Sequence, residues 1–172
     1  MKKHPQPAIF ATALLLLSAV PILRASETKP EEIVAKTRAT ILDPNFKPDG
    51  IDKILVEILD VTLTILPKKD YDADFRTRIE WVKGSFAEKQ MFSEKIRQYL
   101  GLSYKLVSGG ASWQVPESLN NNVGDKAGVD DAIKVCARSL ESALAEMNAG
   151  RNEEAVRELL SFILIIVTPI RA

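Results

Sequence analysis

The stretch IDKILVEILDVTLTIL, residues 51–66, decides the fold class. Ile51, Ile54, Leu55, Val56, Ile58, Leu59, Val61, Leu63, Ile65 and Leu66 leave almost no polar face, so a helix here is largely surrounded by protein and forms the centre of the core. Its tail, Val61-Thr-Leu-Thr-Ile65, alternates and is rich in β-branched residues, which favours a strand. A strand needs a partner, and no second convincing strand pattern is present in the chain. The helix reading prevails, and the fold class follows as all-α. Asp49 is the expected N-cap, Pro67 ends the element, and Lys68-Lys69 complement the negative helix C-terminus.

Beyond Pro67, the Asp70, Asp72, Asp74 cluster opens the longest periodic segment, about Asp72 to Ser108. Phe75, Ile79, Val82, Phe86, Ile96, Leu100 and Val107 recur at spacings of three, four and their sums, as on one face of a helix. Such a helix spans about 55 Å, so it acts as a spine or bends, and Gly84 and Gly101 are the natural places for a break. The three aspartates invite an EF-hand reading, but Phe75 stands where that loop requires Gly and Trp81 where it requires Glu. An acidic first turn explains them.

Gly109-Gly110 closes the segment, and 111–125 reads as a polar loop with Trp113, Pro116 and Asn120 to Asn122. A helix resumes near Lys126 with Val129, Ile133, Cys136, Leu140, Leu144 and Met147 on one face. Gly150 ends it, Asn152 caps the last helix, and Val156, Leu159, Leu160 and Phe162 to Val167 form that helix's apolar body. Around the intervening turn, Glu153-Glu154-Ala155-Val156 resembles a tetratricopeptide-type turn, but no second copy follows at that family's period, so the likeness carries no function. Toward the N-terminus, Thr28 and Glu31 read as a capping box with Pro30 in the first turn of a short helix to Leu42. The expected architecture is a single domain over 26–172, a bundle of four main helices plus this short one, with helix 51–66 and the C-terminal helix packed against the long aromatic one.

Residues 1–25 read as a signal peptide. Lys2 and Lys3 precede an apolar run from Ala8 to Leu23, with Pro21 late in it and Leu23 and Ala25 at positions −3 and −1 of a cleavage site. The run is shorter than the roughly 20 residues a bilayer span needs. The chain is therefore expected to be exported, periplasmic or extracellular, with no stable membrane span in its mature form. Its 23 basic and 23 acidic residues balance, and loss of the three basic ones in the signal leaves a net charge of −3, so nothing points to nucleic acid.

The residue inventory narrows the chemistry. Cys136 is the sole Cys, so no intramolecular disulfide forms, and on a helical apolar stripe it reads as a small buried hydrophobe. His4 is the sole His and lies inside the signal, so the mature chain lacks the commonest general base and transition-metal ligand. No cofactor, metal site or catalytic set is expected. Glu57 and Asp60, inside the most apolar helix, are the acids whose burial would demand a partner such as Arg78 or Lys134. The preferred reading is a non-catalytic exported protein acting through a protein partner, through self-association or as a structural accessory. The alternative is a binding protein for an apolar or aromatic small molecule. Its groove, or the partner surface, is expected at Tyr99, Tyr104, Lys105 and Trp113, where the loop after the long helix brings Trp113 back beside that helix.

Overall fold

In the computed structural model, which describes residues 28–120 and 126–169, the deciding stretch is a helix and no described residue lies in a strand. The helices are α1 (Pro30–Ile41), α2 (Ile51–Ile65), α3 (Asp72–Ala87), α4 (Glu94–Val107), the single turn α5 (Glu117–Asn120), α6 (Lys126–Asn148) and α7 (Asn152–Val167). The all-α bundle is as expected. The signal reading falls on residues outside those described.

Helix α7, not 51–66, is the centre. Ala155, Val156, Leu159, Leu160, Phe162, Ile163, Leu164, Ile165 and Val167 are all buried, and α6, α4 and α2 all pack on it. Each fully buried large side chain contributes about 1.5–3 kcal/mol of apolar burial, so this near-continuous run anchors the molecule. The remaining contacts close most of a ring: α1 joins α6 to α2, and α3 joins α2 to α4. Helix α2 keeps a solvent stripe, Lys53, Glu57, Asp60 and Thr64, at helical spacing. Glu57 and Asp60 are thus exposed and need no buried partner; Asp60 Oδ1 faces Lys83 Nζ at 2.5 Å. The β-branched tail of α2 stays helical because the helix face carrying Ile58, Val61 and Thr62 is buried, and the Thr62 hydroxyl donates to the Ile58 carbonyl at 2.8 Å.

The expected long helix is two helices. It breaks at neither Gly84, inside α3, nor Gly101, inside α4, but between Glu88 and Ser93. Lys89 adopts φ 59°, its N–H bonds the Phe86 carbonyl, and the Gln90 N–H bonds the Ser85 carbonyl at 3.0 Å, which ends α3 in a Schellman-type turn. Ser93 then restarts the chain as a true cap, its Oγ accepting from the Ile96 N–H at 3.2 Å. Among the described residues the bundle therefore has five main helices besides α1 and α5.

Smaller departures concern the caps. Lys29 rather than Thr28 precedes α1, so Pro30 occupies the first helical position and no capping box forms. Gly50, at φ 111°, takes the place expected for Asp49. Asn152 is already helical, with Arg151 before it. Asp72 and Asp74 do sit in the first turn of α3, paired with Arg76 at 2.7 Å and Arg78 at 2.6 Å. The α6–α7 turn closes as read: Gly150 has φ 72°, and the Arg151 N–H reaches the Glu146 carbonyl at 2.9 Å. Within the expected polar loop, α5 forms one turn and its Leu119 is buried against the core.

Candidate functional site

Of the four residues singled out from the sequence, Tyr104 and Trp113 meet adjacent turns of α7, while Tyr99 and Lys105 point elsewhere. Tyr99 points from α4 toward α3, where its ring meets Trp81 edge-on at 4.9 Å, and Lys95 Nζ lies 4.3 Å from the Trp81 ring and 5.4 Å from that of Tyr99. Tyr104, five residues on, faces α7; burial raises its phenol pKa, the nearby Arg157 opposes that, and Glu158 adds to it. Trp113 also meets α7, through an Nε1–H bond to Ser161 Oγ at 2.9 Å. Lys105 stays exposed. The division follows from helix geometry, because a step of five residues turns the direction by about 140°. Trp113 has a structural task instead. Helices α4 and α6 do not touch each other, and the half-buried Trp113 lies on α7, the helix that both flank.

Glu158, beside Tyr104, is half-buried, and burial pushes its carboxyl above the usual range, with Arg157 pulling it back. Another polar cluster ties the α2–α3 connection to the start of α7: Glu153 accepts from Lys69 Nζ and from the Tyr71 hydroxyl, and those bonds hold its carboxyl below the usual range. The Glu153 cluster is an ordinary cross-brace. Among the described residues, no three His, Cys, Asp or Glu side chains gather as they would around a metal ion.

A large apolar concavity lies elsewhere, at the end of the bundle where α6 begins and α7 finishes. It is a cleft of about 630 Å³. Ala132, Ile133 and Cys136 of α6 form one wall, Phe162, Ile165 and Ile166 of α7 the other, and Ile41 of α1, Phe46 and Pro48 of the α1–α2 turn and Ile51 of α2 close it. Thr168, Pro169, Phe92 and Val129 form the remainder. Only Cys136 and Thr168 among these side chains carry a polar group. Cys136 is 6% exposed, and burial pushes its thiol up to about 12, so at neutral pH it is a protonated, polarisable wall.

The cleft exists because the apolar stripe of α6 outruns its cover. From Cys136 to Met147 that stripe packs on α7 and α1, whereas Val129, one turn before Ile133, is 59% exposed. Phe92, brought to the same rim by the α3–α4 break, is 62% exposed. Sequence reading placed Val129, Ile133 and Cys136 on one face but took that face as core throughout. The signal available was one large apolar residue, Phe46, in a turn-rich segment with no periodic stripe of its own.

A scan against protein-family models gave no match, and neither curated proteins nor solved structures yielded a similar chain. The site must be argued from its geometry. No helix among the described residues is long and apolar enough to cross a membrane.

Proposed function

We propose that the protein is a non-catalytic, exported binding protein that holds an apolar small molecule in the cleft between α6 and α7. The cleft itself carries this reading: about 630 Å³ is within the roughly 300–1,000 Å³ of small-molecule sites, which are likewise lined mainly by apolar side chains. The signal-like residues 1–25 support export, and the absence of histidine from residues 26–172 supports binding rather than catalysis. The proposed site thus moves away from Tyr99, Tyr104, Lys105 and Trp113 to the far side of α7's C-terminal end.

The test is titration with N-phenyl-1-naphthylamine, whose fluorescence rises in apolar surroundings. Saturable binding at one probe per chain is expected. Ala132→Trp fills the cleft and should abolish that signal with an unchanged circular dichroism spectrum. No saturation in the natural protein, or equal binding by the filled variant, refutes the reading. The rim favours a second reading, since Phe92 and Val129 together form an exposed apolar edge. Self-association through that edge would appear in sedimentation as a mass that grows with concentration and returns to the monomer in Phe92→Asp.

A further inference from the structure

We infer that the cleft receives a single-tailed amphiphile with a positively charged head, the tail lying between α6 and α7 and the head in a polar recess at the mouth. This rests on the cleft being a ligand site, as proposed above. A second concavity of about 310 Å³ adjoins the cleft and shares Ile41, Phe46 and Ile133 with it. The three shared apolar side chains set the two concavities side by side, so a tail in the cleft places its head at the recess. Beyond them the recess adds the apolar Leu42 and Pro44 and, unlike the cleft, three charged side chains, Asp43, Asp130 and Lys134.

The charges there do not cancel. Lys134 Nζ already faces Asp131 Oδ1 at 3.3 Å, so its charge is opposed from outside the recess. The Asp43 carboxylate accepts from the Asn45 backbone N–H at 2.8 Å and from Asn45 Nδ2 at 3.3 Å, neutral donors that leave its charge in place. Among the described residues, neither Asp43 nor Asp130 has an ion-pair partner. An ammonium head gains from this field, and a carboxylate or sulfate head is repelled by it. Both aspartates are exposed, so the charge adds selectivity to binding that the tail supplies. About three- to tenfold between opposite heads is expected at low ionic strength, less as salt screens exposed charges.

Dodecylammonium and dodecanoate, below their micelle concentrations, and dodecanol, below its solubility limit, are competed against bound N-phenyl-1-naphthylamine. The expected order is ammonium, alcohol, carboxylate, with the spread closing in high salt. Asp130→Lys should invert the order of the charged pair, and Asp43→Asn should narrow it; both leave dodecanol unchanged, which shows that the fold and the tail site are intact. If the probe binds and dodecanol competes but the head makes no difference, or if dodecanoate wins in the natural protein, the head assignment is wrong while the cleft reading stands. If neither the probe nor any dodecyl compound binds, both fall together.

Discussion

Replacing Gly84 and Gly101 with alanine should stabilise the protein, and replacing Lys89 with glycine should do the same. The three substitutions locate the bend between α3 and α4. A glycine inside a helix costs roughly 0.5–1 kcal/mol relative to alanine, because its unfolded chain has more freedom to lose. A Cβ added at either glycine meets nothing within 4 Å, so no clash subtracts from that gain. The two positions lie in different helices, so their effects should add to about 1–2 kcal/mol. At Lys89 the sign is reversed. With φ at 59°, a side chain there costs about 1–2 kcal/mol, part of which glycine returns as extra entropy of the unfolded chain. A net gain of about 0.5–1 kcal/mol remains, and each kcal/mol raises Tm by roughly 2–4 °C in a chain of this size. Urea unfolding followed by far-ultraviolet circular dichroism, with the denaturant slope unchanged, is the assay. If either alanine variant is destabilised, or Lys89→Gly is, the chain bends at a glycine and the account of the break is wrong.

Three further outcomes follow from the polar contacts. Glu153→Gln should cost about 1–2 kcal/mol at neutral pH, because a carboxylate hydrogen-bonded by Lys69 and Tyr71 is lost. Since the folded carboxyl titrates below its unfolded value, its contribution is complete above about pH 4.3 and disappears as pH falls through the folded pKa. Urea midpoints measured down the acid limb should therefore fall less steeply in the variant than in the parent. Cys136, buried and with its thiol pushed up to about 12, should react with Ellman's reagent at least about tenfold more slowly than the urea-unfolded chain, and comparable rates would show that the α6–α7 contact opens readily. Trp113→Phe and Ser161→Ala should each cost about 1 kcal/mol, with a double-mutant coupling near that of one hydrogen bond; additive losses would mean that the Nε1–Oγ contact contributes nothing.

Much of the secondary structure was legible because its boundaries are local chemistry. Pro30, Pro67, Gly109-Gly110 and Gly150 restrict or free the backbone wherever they stand, and the helices stop or start beside them. The α3–α4 break was missed because the apolar spacing on either side of it fits one period. What the sequence did contain was a gap in the stripe between Phe86 and Ile96, and Ser93 three residues before Ile96. The starts of α1, α2 and α7 slipped by one residue because no side chain caps them: Lys29, Gly50 and Arg151 precede these helices without a side-chain hydrogen bond, so the entry angle of the chain alone sets the boundary.

The candidate site was legible only in its materials. Tyr99, Tyr104 and Trp113 are near one another in sequence, yet rotation along α4 sends Tyr99 to α3 and Tyr104 to α7, and the loop after α4 brings Trp113 to α7 as well. Composition and periodicity alone determined that the described chain is helical, that its stability comes from packing without an intramolecular disulfide, and that residues 26–172 have no imidazole. Those properties depend on which residues are present and on spacings of a few positions. Tertiary structure alone decided that α7 rather than α2 is central, and that Val129 lies open while Leu140, on the same face of α6, is wholly covered. Whether an apolar side chain is core or cleft wall depends on where the neighbouring helices end, and a helix's own pattern does not encode its neighbours' lengths.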